Sequence, residues 1–366
     1  MIPSNRSRQL FSFLLPIGLL IVLLSAGYWN AKTDALTDSP TNDAFFIRTE
    51  PKHKGAHLFG RTETIDFEAL RNMNIEWITL VSWGYQEDCS DPVIIHHHGD
   101  SLMLRERNAH WHNRIQLIRE EGFKVFVKPH IWITQPKDGK WRSDIFPTNE
   151  ENWLLWKDSY REFILRYAKI AEEAGAEMFC IGAEFTKLTA AKPDYWKKLI
   201  KEVRNVYSGQ ITYAANWYQE YEKIQFWKDL DYIGIQAYFP LTKKKSPTVA
   251  QVSKGWRNYI PTLKKLHKKN DRRILFTEMG YKSIAESAIR PWDWMEKTDE
   301  NNMSYSPETQ ANCYHAFFNS IWENDWFGGV HIWQLRSGHT NRADRNDLNF
   351  TPQGKPAAEV IAQGFE

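Results

Sequence analysis

From Lys54 onward the chain alternates between two hydrophobic periods: short, near-continuous apolar runs, and longer stretches in which apolar residues recur every three or four positions. The short runs are KGAHLFG (54–60), WITLVSWGY (77–85), KVFVKPHIWI (124–133), EMFCIGAEF (177–185), QITYAANW (210–217), YIGIQAYFP (232–240), RILFTEMGY (273–281) and GVHIWQL (329–335). Helical periodicity falls between them, over 67–73, 111–121, 152–174, 195–206, 249–269, 308–323 and 357–361, with a weaker fifth segment at 224–230. Strands that are apolar along their whole length suit a parallel sheet whose outer face is covered by helices. Eight strand–helix pairs in succession predict a closed (β/α)8 TIM barrel.

The residues before the barrel have a different pattern. Positions 10–27 (LFSFLLPIGLLIVLLSAG) carry no charge and follow Arg6 and Arg8. As a helix they extend about 27 Å, close to a hydrocarbon core of about 30 Å, while Ser25-Ala26-Gly27 resembles a signal-cleavage site. Residues 1–28 are therefore expected to be either a signal peptide or a signal-anchor transmembrane helix. Both export the body of the chain, because the basic flank stays in the cytoplasm. The protein is then membrane-anchored with its body outside the cytoplasm, or periplasmic or secreted after cleavage. No Cys follows the run, so it is not a lipoprotein signal. Residues 29–51 are polar and read as a linker. The 366 residues permit one domain or two; the stretch 52–366 has the size of one barrel with long loops. Those loops (86–110, 134–151 and 282–305) follow strands 2, 3 and 7, on the C-terminal face where barrel active sites form.

Charge and cysteine content narrow the function classes. With 47 Lys+Arg against 45 Asp+Glu the net charge is +2, so no global field recruits nucleic acid. Lys243–Lys245 and the group Lys264, Lys265, Lys268 and Lys269 are read as solvated faces. Cys89, Cys180 and Cys313 are widely spaced and odd in number, which supports neither a disulfide framework nor a zinc knuckle. His96, His97, His98, His110 and His112 fall in the loop after strand 2, but three consecutive histidines cannot converge on one ion. Asp88, Asp91 and Asp100 lack calcium-loop spacing. No metal or cofactor is expected, and the chain is read as a monomer. Seventeen Trp within 14% aromatic residues exceed what a core of this size needs, and flat exposed aromatics bind flat faces such as sugar rings.

Polar residues at the C-terminal ends of the predicted strands converge on one basin. Glu184 ends strand 4 in IGAEF, and Glu278 ends strand 7 in FTEMGY. Glycoside hydrolysis needs such a pair, one carboxyl to protonate the leaving oxygen and one to attack, or activate water, at the anomeric carbon. Around them the strand ends carry Trp83, Lys128, His130, Trp132, Asn216, Trp217, Gln236, Tyr238 and Trp333, with Trp292 and Trp294 in the loop after strand 7. Hydrogen-bonding groups mixed with indoles suit a hydroxylated ring; the structural alternative is that the tryptophans plug the barrel mouth.

GAE at strand 4, TEMGY at strand 7, KPHIW at strand 3, QAYFP at strand 6 and the Trp of strand 8 resemble the clan A retaining glycoside hydrolases, most closely glycoside hydrolase family 113. The resemblance spans about residues 52–365. It implies action on β-1,4-mannan and manno-oligosaccharides, with Glu184 as general acid/base and Glu278 as nucleophile. The wider clan commonly places an Asn before the acid/base; this chain has Ala183, so a hydrogen bond to the sugar 2-hydroxyl must come from elsewhere, and Asn216 is the candidate. Two rival functions have signatures of their own. A metal-dependent barrel hydrolase would carry His-x-His at strand 1 and Asp at strand 8, where this chain has Ala56-His57-Leu58 and Trp333. A non-catalytic, surface-anchored carbohydrate-binding barrel would be signalled by loss of either Glu, and both are present.

Overall fold

The computed structural model describes residues 50–96, 101–293, 304–338 and 347–366. The apolar segment, the linker up to residue 49, His97, His98, Asp100 and Trp294 lie outside them. Among the described residues no helix is long and apolar enough to cross a membrane.

The apolar runs form β1 (His53–Phe59), β2 (Trp77–Leu80), β3 (Trp83–Gln86), β4 (Lys124–Val127), β5 (His130–Ile133), β6 (Met178–Ala183), β7 (Gln210–Asn216), β8 (Ile233–Gln236), β9 (Ile274–Met279) and β10 (Phe327–Arg336). Eight of them close into a barrel in the order β1-β10-β9-β8-β7-β6-β4-β2, with every pairing parallel. The runs 77–85 and 124–133, expected as single strands, are each broken in two. Pro129 sits at the second break, where it has no N–H for the ladder. Beyond the breaks β3 and β5 pair with each other as a separate two-stranded sheet, Trp83 opposite His130.

The helices are α1 (Phe67–Asn72), α2 (Ser101–Glu120), α3 (Glu150–Glu173), α4 (Thr186–Ala191), α5 (Pro193–Arg204), α6 (Val249–Trp256), α7 (Ile260–Asn270), α8 (Pro307–Phe317) and α9 (Pro356–Gly364). Helix α2 begins ten residues before the expected start, so His110 and His112 stand on a helix and not in a loop. The span 249–269 is two helices, because a helix running through Pro261 would lose an amide donor and meet the carbonyl four residues back. The segment 224–230 contains only a 3-10 turn, Trp227–Asp229, and α8 continues as a π turn over Phe318–Trp322. Local chemistry sets several ends. The side chain of Asn149 caps α3 by accepting from the Asn152 amide at 2.8 Å. Gly175 ends it with φ +75°, a left-handed turn that favours glycine.

Apolar side chains partition by strand parity. Those facing outward pack with the helices into the main core, whereas Trp77, Phe126, Met178, Cys180, Ala214, Tyr232 and Leu275 make a small cluster of their own. Buried polar residues pack against that cluster, His53 stacked on Trp77 at 3.8 Å and His331 edge-on to Phe126 at 5.0 Å, and His57, Thr79 and Lys128 are fully buried as well. His331 needs space: a side chain on Gly55 would meet its ring at 2.4 Å. Strand register slips near the C-terminal ends. Between Cys180 and Ala183, β6 carries one residue more than β7 does between Thr212 and Ala214, and between Phe276 and Glu278, β9 carries one more than β8. Such bulges re-aim the side chains that follow them; here those are Glu184 and Glu278.

Trp156 ties α3 to the detached sheet. It is fully buried, stacked on Tyr160 at 4.9 Å, and donates from Nε1 to Gln86 Oε1 at 3.1 Å. Trp156→Ala should lower stability by about 3–5 kcal/mol in urea unfolding; a loss below about 1 kcal/mol would contradict this packing.

Candidate active site

Strands β6 and β9 stand three places apart in the ring of eight, so the two glutamates at their ends face one another across the barrel mouth. A cavity of about 910 Å³ opens there. Glu184, Glu278, Trp83, His130, Trp132, Asn216, Trp217, Gln236, Tyr238, Trp292 and Trp333 all line it. Lys128 does not: it is fully buried and reaches Glu278 from beneath.

Glu278 is the more enclosed acid, 4% exposed. Its Oε1 accepts from the Lys128 ammonium and its Oε2 from the Tyr238 hydroxyl at 2.9 Å. Lys128 also donates to Gln236 Oε1 at 2.6 Å and lies 3.4 Å from the Thr277 carbonyl. Burial pushes the carboxyl up and the ammonium down, and each charge opposes the other's shift. Both oxygens of the carboxyl accept a hydrogen bond, Oε1 from the ammonium and Oε2 from the phenol, the pattern of a carboxylate acceptor.

Two histidines complete this setting, and their tautomers follow from their partners. A guanidinium can only donate, so Arg142 Nη1, 3.0 Å from His130 Nδ1, leaves the His130 proton on Nε2, which faces Glu278 Oε1 at 3.5 Å. A carbonyl can only accept, so His57 Nδ1 donates to Ile332 O at 3.3 Å and turns the Nε2 lone pair toward Lys128 Nζ at 3.5 Å. Burial, followed by the charge of Lys128, holds both rings well below 6.5 and therefore neutral.

Glu184 follows the β6 bulge with φ +60°, the left-handed region that a side chain disfavours by about 1–2 kcal/mol. Its backbone N–H donates to Ala214 O at 2.9 Å. Arg142 Nη2 donates to its Oε2 at 3.1 Å, so Arg142 and His130 connect one carboxyl to the other. Arg142 escaped the sequence reading. It sits in a 3-10 turn (Arg142–Asp144) of the loop after β5, where a lone Arg next to a Trp carries no periodic signal. Gln334, the strand-end neighbour of Trp333, also lines the cavity, as do Phe59, Trp141, Tyr218, Arg336 and Phe350, which were not anticipated.

The aromatic residues form two walls and a floor. Trp132 meets Trp83 edge-on at 5.7 Å and Trp141 at 5.4 Å. On the other side Trp217 lies against Trp292 at 4.9 Å, with planes 31° apart. Trp333 packs with Tyr238 and Phe350, touches His57 and Phe59 edge-on, and is joined to Gln334 by a cis peptide bond. Trp132 and Trp292 keep 43% and 37% of their surface exposed, so they do more than plug the mouth.

A carboxyl pair set among rings that can stack on sugars is glycoside hydrolase chemistry, and the barrel is a fold that carries it. The sequence profile described as Glycoside Hydrolase Family 113 matches residues 54–355, and the chain belongs to that family. Among solved structures it is similar to a β-1,4-mannanase of the family, with 24% identity, a TM-score of 0.71, and 86% of this chain and 99% of that one covered. It is also similar to the family 113 β-mannanase from Alicyclobacillus acidocaldarius in complex with ManMIm: 27% identity, TM-score 0.71, 87% and 98% covered. A β-glucuronidase from Ruminococcus gnavus shares the fold at 16% identity and a TM-score of 0.56, covering 86% of this chain and 50% of its own. No curated protein sequence matches.

The buried titratable groups imply a pH-dependent stability. Burial holds His53, His57 and His130 well below 6.5 and lowers His331 to about 3. Below pH 6.5 the unfolded chain takes up protons that these rings refuse, so stability falls as pH falls. Glu278, raised by burial, and Glu220, raised by burial to about 7, act in the opposite sense, but are two against four. Unfolding free energy should drop between pH 6.5 and 5 by on the order of 1–3 kcal/mol per unit. A value constant over that interval in urea titrations would contradict the neutral assignment.

Proposed function

We propose that the chain is a retaining glycoside hydrolase acting on β-1,4-mannan or manno-oligosaccharides, with Glu278 as nucleophile and Glu184 as general acid/base. The observation that carries this reading is the asymmetry of the pair. Glu278 is buried and held on both oxygens by donors from Lys128 and Tyr238, while Glu184 faces it across the cavity. In the first step a Glu278 oxygen attacks the anomeric carbon as the glycosidic C–O bond breaks, and Glu184 gives its proton to the departing oxygen. Arg142 engages Oε2 of Glu184, which leaves Oε1 to carry that proton. The ester cancels the charge of Glu278. Glu184 then takes a proton from water, whose oxygen attacks the anomeric carbon and releases Glu278.

Trp333 forms the floor on which the ring being cleaved stacks, and the two aromatic walls hold neighbouring sugar units. Asn216 accepts the Tyr218 amide on Oδ1 at 2.9 Å, which leaves its NH2 group to donate to the 2-hydroxyl that the absent Asn before Glu184 would otherwise bind. The mannan specificity is supported by the family and by the solved family 113 mannanases to which the chain is similar. Export, by anchor or cleaved signal, is supported by the composition of residues 10–27 alone.

Glu278→Ala should lower kcat by about 10⁴-fold or more. Glu184→Ala should lose natural substrates but spare glycosylation by aryl mannosides whose phenolates leave without a proton; equal losses on both substrate types would overturn the assignment. Proton NMR of the first-formed product should show the β-anomer, and a first-formed α-anomer is the outcome that excludes double displacement. In product chromatography with β-mannan, glucomannan, cellulose and xylan oligosaccharides, the manno-substrates should be cleaved fastest, and a preference for xylan or cellulose would refute the substrate.

A further inference from the structure

One buried carboxyl takes no part in the chemistry above. Glu220, four residues past the end of β7, is 1% exposed and accepts four hydrogen bonds. Oε1 accepts from the Tyr213 hydroxyl at 2.6 Å and the Thr189 hydroxyl at 3.0 Å; Oε2 accepts from the Asn216 amide at 2.7 Å and the Thr186 hydroxyl at 3.3 Å. Among the described residues no ammonium or guanidinium lies within ion-pair distance of it, so in its ionised form, above about pH 7, these dipoles alone answer its charge.

Each donor belongs to a segment that adjoins Glu184. While donating to Glu220, the Tyr213 hydroxyl accepts the Phe185 N–H at 2.6 Å, the amide next to Glu184 in the chain. Thr186 and Thr189 are in the first turn of α4, which follows directly. Asn216 ends β7, whose Ala214 carbonyl receives the Glu184 N–H. A residue with a Cβ persists at φ +60° only where its surroundings over-determine it. The end of β6, the start of α4 and the end of β7 are all fastened to this one carboxylate.

We propose that Glu220 is a positioning residue for the acid/base: its carboxylate, through Tyr213 and the Phe185 amide, holds Glu184 in the left-handed conformation that aims its carboxyl at the leaving group. The proposal rests on the reading of Glu184 as acid/base. It predicts a selective defect. In Glu220→Gln the amide replaces one acceptor by a donor, and the Asn216 N–H, which cannot rotate, forces that donor toward Tyr213 and Thr189. The Phe185 contact is thereby loosened, while Glu278, Lys128 and Tyr238 are untouched.

The test measures kcat/KM, which reports the glycosylation step, on a manno-oligosaccharide and on 2,4-dinitrophenyl β-mannoside, with wild type, Glu220→Gln, Tyr213→Phe and Glu184→Ala. Glu220→Gln should fall about 10- to 100-fold on the oligosaccharide and stay within about threefold of wild type on the activated mannoside. Tyr213→Phe should show the same split, since it removes the connection to Phe185 and keeps the carboxylate. A purely structural role would lower both substrates by one factor, and that result, or no change on either, overturns the proposal. So does failure of both variants to fold, which would assign Glu220 to stability alone. If Glu184→Ala itself shows no such split, the acid/base reading fails; if it does and Glu220→Gln does not, only the present inference fails.

Discussion

The barrel interior is organised around the burial of one negative charge. A carboxylate withdrawn from water persists only if cations and donors compensate its lost hydration. Glu278 is 4% exposed and draws an ammonium and a hydroxyl to its two oxygens. The ammonium is itself buried, so Lys128 needs acceptors in turn and finds Gln236 and the lone pair of His57. His57 can offer that lone pair only while neutral, which burial and Lys128 ensure. One charge near the top of the barrel thus dictates polar residues through positions that would otherwise be filled with aliphatic side chains.

The second acid is governed by backbone geometry. Glu184 lies beyond a bulge, in a left-handed conformation, next to a guanidinium delivered by a loop. The contrast suits a division of labour in which one carboxyl is held in a fixed cage and the other exchanges a proton at the cavity surface. The link from Arg142 through His130 toward Glu278 lets a change of charge at one acid be felt at the other.

How much of this was legible depended on whether the signal was periodic. Eight strand–helix alternations repeat along the chain, so the barrel and the gathering of Glu184, Glu278, Tyr238 and Trp333 at its C-terminal mouth could be read from it. The break at Pro129 was visible as a residue but not as the lifting of a second sheet, because that depends on β3 and β5 pairing outside the ring. Lys128 reads as a strand-end residue open to the cavity; only the inward turn of its side chain puts it under Glu278. Bulges have no sequence period, so the re-aiming of Glu184 and its φ of +60° were not accessible. Arg142 and Glu220 come from a loop and a turn, where position in the chain says little about position in space. The family resemblance reached the residues of the motifs and missed those that hold them in place.

The central claim is that the caged carboxylate is the one that forms the covalent bond. A 2-deoxy-2-fluoro-β-mannosyl fluoride has a good leaving group and a slowed second step, so a double-displacement enzyme accumulates its glycosyl ester. Mass spectrometry of the labelled, digested protein should place one added 2-fluoromannosyl group on Glu278. Label on Glu184, or turnover with no ester on any carboxyl, would contradict the account.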